Sequence, residues 1–385
     1  MDLKSVIDTR RRGEADIVLF VVVFILAGMG IAMSYSASAL FAENTFGDNF
    51  YFLKRQLVWC IAGFLVFLVV QEIDYRKYLP WTRLMLLISL VLLVMVLIPG
   101  FGKNIKGSMR WIGLGPISMQ PSEFVKIALV IYLAKVFSYE KPGFGTNVIQ
   151  LLIPMMIVGV FFILIMLQPD FGTAMDILLV AVAILFVSGF SPISMLMLLI
   201  VSIPMFYLLI YQVDYRRDRI IAFLDPWKDR FGSGYHIIQS FIAFKKGGLL
   251  GVGLGYGTQK LKRLPEPHTD FIYAVIAEET GLIGTAFVVL LFCVLFYLGV
   301  NIAMRAPDEF GRLLAVGLTL LIVVQAFINI GVVTGTLPTT GIPLPFISYG
   351  GSSLMANMIA VGILLNISRY REVVQEDLKF SEEVW

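Results

Sequence analysis

The sequence predicts an all-α polytopic membrane protein, on three observations. Hydrophobic residues make up 58% of the 385 positions and charged residues only 15%, against about 25% charged in soluble globular chains. Apolar runs long enough to approach the ~20 residues that cross a bilayer as helix recur along the chain between polar punctuation. The two cysteines, Cys60 and Cys293, both fall inside such runs, so no disulfide framework organises the fold. The whole chain, 1–385, reads as one membrane domain.

About ten transmembrane helices are expected, at 17–39, 57–70, 84–97, 124–137, 148–167, 174–187, 192–211, 271–303, 313–333 and 354–367. The first follows Arg10-Arg11-Arg12 and precedes Ala37-Ser38-Ala39, as a cleavable leader would, but its apolar run exceeds the ~7–15 residues of a leader core and reads as a retained span. Spans six and seven are separated only by Ser188-Gly189-Phe190-Ser191. An even count puts both termini on one side, and Lys4, Arg10, Arg11 and Arg12 make that side cytoplasmic. The acidic tail, 372–385, is expected to be cytoplasmic and mobile and is given no chemistry.

The large extracytoplasmic loop between spans seven and eight, 212–270, breaks the charge rule. It carries ten Lys or Arg against six Asp or Glu, a net +4 where the whole chain is +3, and it holds both histidines, His236 and His268. Long segments cross with less regard to charge, so a basic outer loop points to an anionic ligand.

Asp270 stands where this loop enters the apolar run beginning at Phe271. Partial desolvation there would lift a carboxyl above its reference of about 3.9, toward what a general base requires. The equally weighted alternative is that Thr269 or Asp270 caps the following helix. Glu266 and His268 are alternative acid or base groups, and His236 with His268 makes a weak metal signal because no compact ligand spacing joins them. Pro265 and Pro267 stiffen the approach.

The glycine-rich run 247–257 follows no strand and opens no βαβ unit, so it is not a dinucleotide fingerprint. Its glycines suit close approach to backbone or to a lipid headgroup. Lys245 and Lys246 before it, and Lys260, Lys262 and Arg263 after it, suit a diphosphate or a solvated surface. Upstream of span four, Arg110-Trp111 precede Gln120-Pro121-Ser122-Glu123, and Glu123 and Lys126 share a helix face. They read equally as a buried ion pair or a substrate contact. Gln325 and Asn329 share another face, as interhelical hydrogen bonds. The uncharged segment 337–353, which contains Ser348, reads as a lipid-facing groove wall or a packed re-entrant connection.

Taken together, Arg110-Trp111-Ile112, Gln120–Glu123, Gln168-Pro169-Asp170-Phe171-Gly172-Thr173, 247–257 with Gln259-Lys260, Pro265–Phe271 with Ala277-Glu278-Glu279, and 343–353 resemble the SEDS family of bacterial cell-wall polymerases, the FtsW, RodA and SpoVE group. Pro265–Phe271, Gly253-Leu254-Gly255 and 340–353 resemble the division and sporulation branch more than the elongation branch, although FtsW-like members often carry a basic residue where this chain has Ser118.

The resemblance implies a ten-helix peptidoglycan glycosyltransferase that polymerises lipid II into β-1,4 glycan, in cell division, in the bacterial inner membrane. It implies partnership with a class B penicillin-binding transpeptidase and other divisome or elongasome proteins, and none with nucleic acid. It places the essential carboxylate at Asp270, with Arg110, Trp111, Glu123 and Lys126 supporting the cavity. Lys245, Lys260, His268 and Ser348 complete the expected substrate-binding set, and Lys126, Arg110 and the loop cations would steady the diphosphate. The sequence names no cofactor, and a divalent cation, Mg2+ or Mn2+, stays open. The rivals are a lipid II flippase and, with Asp176 and Glu278, a proton-coupled transporter; the chain lacks the two-half repeat many transporters carry.

Overall fold

The computed structural model describes residues 15–105, 108–114, 117–139, 148–190, 195–196, 200, 213–260 and 267–382. Its helices are α1 (Ile17–Phe46), α2 (Tyr51–Val70), α3 (Tyr78–Leu97), α4 (Pro121–Tyr139), α5 (Val148–Leu167), α6 (Phe171–Val187), α7 (Asp214–Leu224), α8 (Tyr235–Gly247), α9 (Ile272–Met304), α10 (Glu309–Val333) and α11 (Gly351–Glu382). Among the described residues six helices, α1, α2, α3, α9, α10 and α11, are long and apolar enough to cross a membrane. With α4, α5 and α6 packed among them they account for nine of the ten expected spans; the seventh, 192–211, lies almost wholly outside the described residues.

Local chemistry sets the helix ends. Asp16 accepts from the Val18 and Leu19 amides to open α1, and Gly47, at φ 69°, closes it in a left-handed conformation that other residues rarely adopt. Asp308 opens α10 by accepting from Gly311 N.

The apolar windows of α10 and α11 are 78% and 83% buried against 22% for α2 and α3. The first pair is therefore the centre of the bundle and the second its rim. Helix α4 packs on α3 and α10, α11 on α2, and α9 on α8 and α10.

Three features depart from the sequence reading. A small antiparallel sheet, β1 (Gly102–Ile105), β2 (Ser108–Leu114) and β3 (Ile117–Met119), stands before α4, so the architecture is a helical bundle with a three-stranded cap. The 212–270 loop contains two helices, α7 and α8. The tail, read from the sequence without secondary structure, continues the last helix to Glu382. Residues 342–348 are packed, with Ile342, Leu344, Phe346 and Ile347 buried, and α1 abuts them at Gly30, where a Cβ would lie 2.2 Å from the Phe346 carbonyl oxygen.

Candidate active site

Strand β2 separates two neighbours by its two-residue period. Trp111 faces a cavity, whereas Arg110 reaches the α5–α6 turn, donating from Nε to Gln168 O at 3.1 Å and from Nη2 to Pro169 O, with Nη1 3.7 Å from Asp170. Asp170 in turn caps α6 through Thr173 and accepts from Gln120 Nε2 at 3.0 Å.

The cavity has a volume of about 490 Å3. Its polar walls include Lys54, Arg55, Ser118, Thr269 and Tyr349, and its apolar walls Val58, Trp59, Ala62 and Trp111. Burial raises the Tyr349 phenol above its ordinary range, and a hydrogen bond with Arg55 opposes the shift. Lys54 is anchored to Asp48 at 2.7 Å. The two cations on the wall stand at the start of α2, a region the sequence reading left without a role.

Asp270 is half-buried, one residue from the cavity wall at Thr269. Its backbone carbonyl accepts from Asn329 Nδ2 at 2.8 Å, and the same amide holds Ile342 O at 2.7 Å. Gly341, at φ 80°, brings its backbone against the carboxylate, and a Cβ there would lie 3.4 Å from Oδ2. On the other side Ser348 donates to Thr269 O at 2.6 Å, and Tyr349 N donates to His268 O at 2.8 Å. Residues 268–270 are thus stapled to α10 and to the 340–349 segment. The cap position of α9 is Phe271, not Thr269 or Asp270.

Arg219, on α7, donates to the carbonyls of Thr339 and Thr340 at 3.2 and 3.4 Å. Burial pulls its guanidinium below the usual value and Arg110 acts the same way, while Tyr215, Asp270 and Asp170 oppose. Two arginines and two aspartates therefore share one electrostatic neighbourhood. Arg219 was legible only as one charge among ten in the loop.

Lys126, 2% exposed, lies 3.1 Å from Glu123 and 3.3 Å from Asp176, and donates to Gln325 Oε1 at 2.7 Å. The ammonium thus lies among buried partners of its own bundle. The Lys260 ammonium sits buried 2.6 Å from Glu279 and 2.8 Å from Ser36 Oγ. Lys245 is exposed on α8 and does not line the cavity. His268 is buried in an aromatic nest of Phe41, Phe52 and Tyr349, 4.7 Å from the Phe52 ring centre, rather than lining the cavity. Ser348 also acts by holding the Thr269 carbonyl and not from the cavity wall. His236 stacks on Phe271. Glu266, Lys262 and Arg263 lie outside the described residues. Among the described residues no group of three His, Cys, Asp or Glu is arranged to hold a metal ion.

Fold and site define a polytopic membrane protein with a half-buried carboxylate at the mouth of a spanning helix, beside a cationic and apolar cavity. The chain belongs to the FtsW/RodA/SpoVE family, described as cell cycle proteins, whose sequence model matches residues 16–373. It is 44% identical over 363 residues to Stage V sporulation protein E of Bacillus subtilis (strain 168), covering 94% of this chain and 99% of the relative. It is 43% identical over 373 residues to the probable peptidoglycan glycosyltransferase FtsW of Geobacter metallireducens, covering 96% and 98%. A chain from a solved peptidoglycan synthase complex, described as coordinating polymerization and crosslinking, matches with a TM-score of 0.76 at 27% identity, over 93% of this chain and 98% of that one. The rod shape determining protein RodA of Thermus thermophilus matches at 0.69 and 27%, over 93% and 97%.

Proposed function

We propose that this protein is a peptidoglycan glycosyltransferase of the bacterial inner membrane, both termini cytoplasmic, that polymerises lipid II into β-1,4 glycan in cell division beside a class B penicillin-binding transpeptidase. The observation that carries the reading is the half-buried Asp270, its backbone held by Asn329 and that of Thr269 by Ser348, next to a cavity lined by two cations and by apolar side chains. In the reaction the acceptor sugar hydroxyl oxygen bonds to the anomeric carbon of the donor, the bond from that carbon to the lipid diphosphate breaks, and the hydroxyl proton passes to Asp270. Inversion at one carbon needs no covalent glycosyl-enzyme.

Lys54 and Arg55 stabilise negative charge on a diphosphate in the cavity, while Val58, Trp59 and Ala62 take the first isoprene units. Arg219 holds the Thr339 and Thr340 carbonyls next to Gly341, which faces Asp270, and Arg110 holds the α5–α6 turn that carries Asp170. The sealed Lys126 cluster positions α4, α6 and α10 relative to one another and touches no substrate.

The test is purified protein, alone and with candidate transpeptidase partners, in detergent with lipid II. Glycan chains are expected without a bilayer. Their absence with every partner, alongside lipid II transfer between leaflets in liposomes, would instead establish the flippase.

A further inference from the structure

The glycine-rich segment after α8 is built into a break in α9. Gly281, at φ 66°, is non-helical, and across that gap Gly248 O accepts from Leu282 N at 2.9 Å while Val252 N and Gly253 N donate to the carbonyls of Glu278 and Glu279 at 3.0 Å each. Gly251, at φ 78°, would place a Cβ 2.1 Å from Glu279 O, so the backbones touch. Side chains bind the other edge, where the buried Glu278 accepts from Thr258 N at 2.9 Å and the buried Glu279 accepts from Gly255 N at 3.0 Å. A segment tied down this firmly would ordinarily bury its apolar side chains. Instead Leu249, Leu250, Leu254 and Tyr256 point outward, Leu250 and Tyr256 each 78% exposed.

Depth identifies what these side chains meet. Glu279 accepts from Ser36 at 2.8 Å, and Ser36 lies roughly 28 Å along α1 from Ile17 at 1.5 Å per residue, close to the ~30 Å of a bilayer's hydrocarbon. The segment therefore sits at one edge of the membrane. Leu282 and Ile283, bonded to Gly248 and Leu249, continue its exposed apolar surface directly into the outward face of α9. Lys245 and Lys246 close the last turn of α8 beside it, both exposed. Apolar side chains flanked by lysines at that level are the composition of an interfacial anchor.

We propose that 245–257 is a lipid-binding anchor in the extracytoplasmic leaflet. Leu249, Leu250, Leu254 and Tyr256 enter the boundary between headgroups and acyl chains, and Lys245 and Lys246 bind the phosphates of anionic phospholipids. Lys245 thereby serves the bilayer and not the polymerised substrate. The anchor fixes the depth of the helix whose outer end follows Asp270.

The experiment places a bimane on Leu250→Cys and on Leu254→Cys in a Cys60→Ser/Cys293→Ser chain, in nanodiscs of phosphatidylcholine with or without phosphatidylglycerol. Both probes are expected to be quenched by shallow spin-labelled lipid as strongly as one on Ile283→Cys, and to resist aqueous iodide several-fold better than one on Lys228→Cys. Phosphatidylglycerol should deepen them in the parent chain and not in Lys245→Gln/Lys246→Gln. Iodide access equal to that at position 228 would overturn the proposal, as would loss of the phosphatidylglycerol effect on adding inorganic phosphate, which would mark a site for soluble anions. On the unlabelled full chain, native mass spectrometry counts retained phosphatidylglycerol. The double lysine variant lowers that count if the anchor exists, and an unchanged count contradicts it.

Discussion

Asn329 donates to the backbone carbonyl of Asp270 at 2.8 Å, from the same amide nitrogen that holds Ile342 O. One buried side chain on α10 thus sets where the α9 entry and the 340–342 turn meet. In Asn329→Ala both carbonyls lose their donor, at a cost of about 1–3 kcal/mol in stability. Misplacing Asp270 by about 1 Å would lower kcat by roughly 100-fold. Polymerisation kinetics with lipid II should show that fall with KM little changed, and equal kcat in a folded variant would remove Asn329 from the positioning set.

Ser348 bridges the Leu344 amide, 2.8 Å, and the Thr269 carbonyl, 2.6 Å. Ser348→Ala is expected to lower the unfolding free energy by about 1–2 kcal/mol, the effect of orphaning buried backbone groups. Because the hydroxyl faces backbone, lipid II binding to the folded variant should stay near wild type. A large binding defect at unchanged stability would return Ser348 to the substrate contacts.

The Lys126 cluster supports a comparison of a single with a triple variant. Lys126→Met leaves Glu123 and Asp176 buried without their cation, expected to cost about 3–5 kcal/mol. Adding Glu123→Gln and Asp176→Asn should recover much of that, since a fully neutral set carries no unpaired charge. Thermal unfolding in detergent reads both. A triple variant no more stable than Lys126→Met would count against a structural role.

Asp48 governs Lys54 at the cavity. The Lys54 ammonium first, then the Phe50 amide, hold the Asp48 carboxyl below its ordinary range. Its folded pKa is depressed, so the pair is complete above the ordinary carboxylate value of about 3.9 and is lost as pH falls through the folded value. At neutral pH the lysine stays tethered, and Asp48→Asn should release it. The expected result is a KM for lipid II changed several-fold at constant kcat; an unchanged KM would mean that Lys54 does not meet the diphosphate.

Periodicity and run length made nearly all spans legible, because lipid leaves helices as the way to satisfy backbone groups. The ends were less legible. Helix α1 extends to Phe46 through Ser34, Ser36 and Ser38, polar residues that pair inside the bundle and so do not interrupt it. The sheet at 102–119 escaped because its strands are short and lack alternation. Trp111 was found by motif, but Lys54, Arg55 and Arg219 were not, since a cation's role depends on which wall it faces and that is a tertiary fact. The partner of Lys260, Glu279 on α9, was equally out of reach of the sequence.

The role of Asp270 as the base is decided by the rate of glycan synthesis from lipid II by Asp270→Asn, purified in detergent with its transpeptidase partner. A loss of at least ~100-fold is expected, the lower range for removing a general base, with melting temperature and lipid II binding retained. A folded variant that polymerises at the wild-type rate would contradict it.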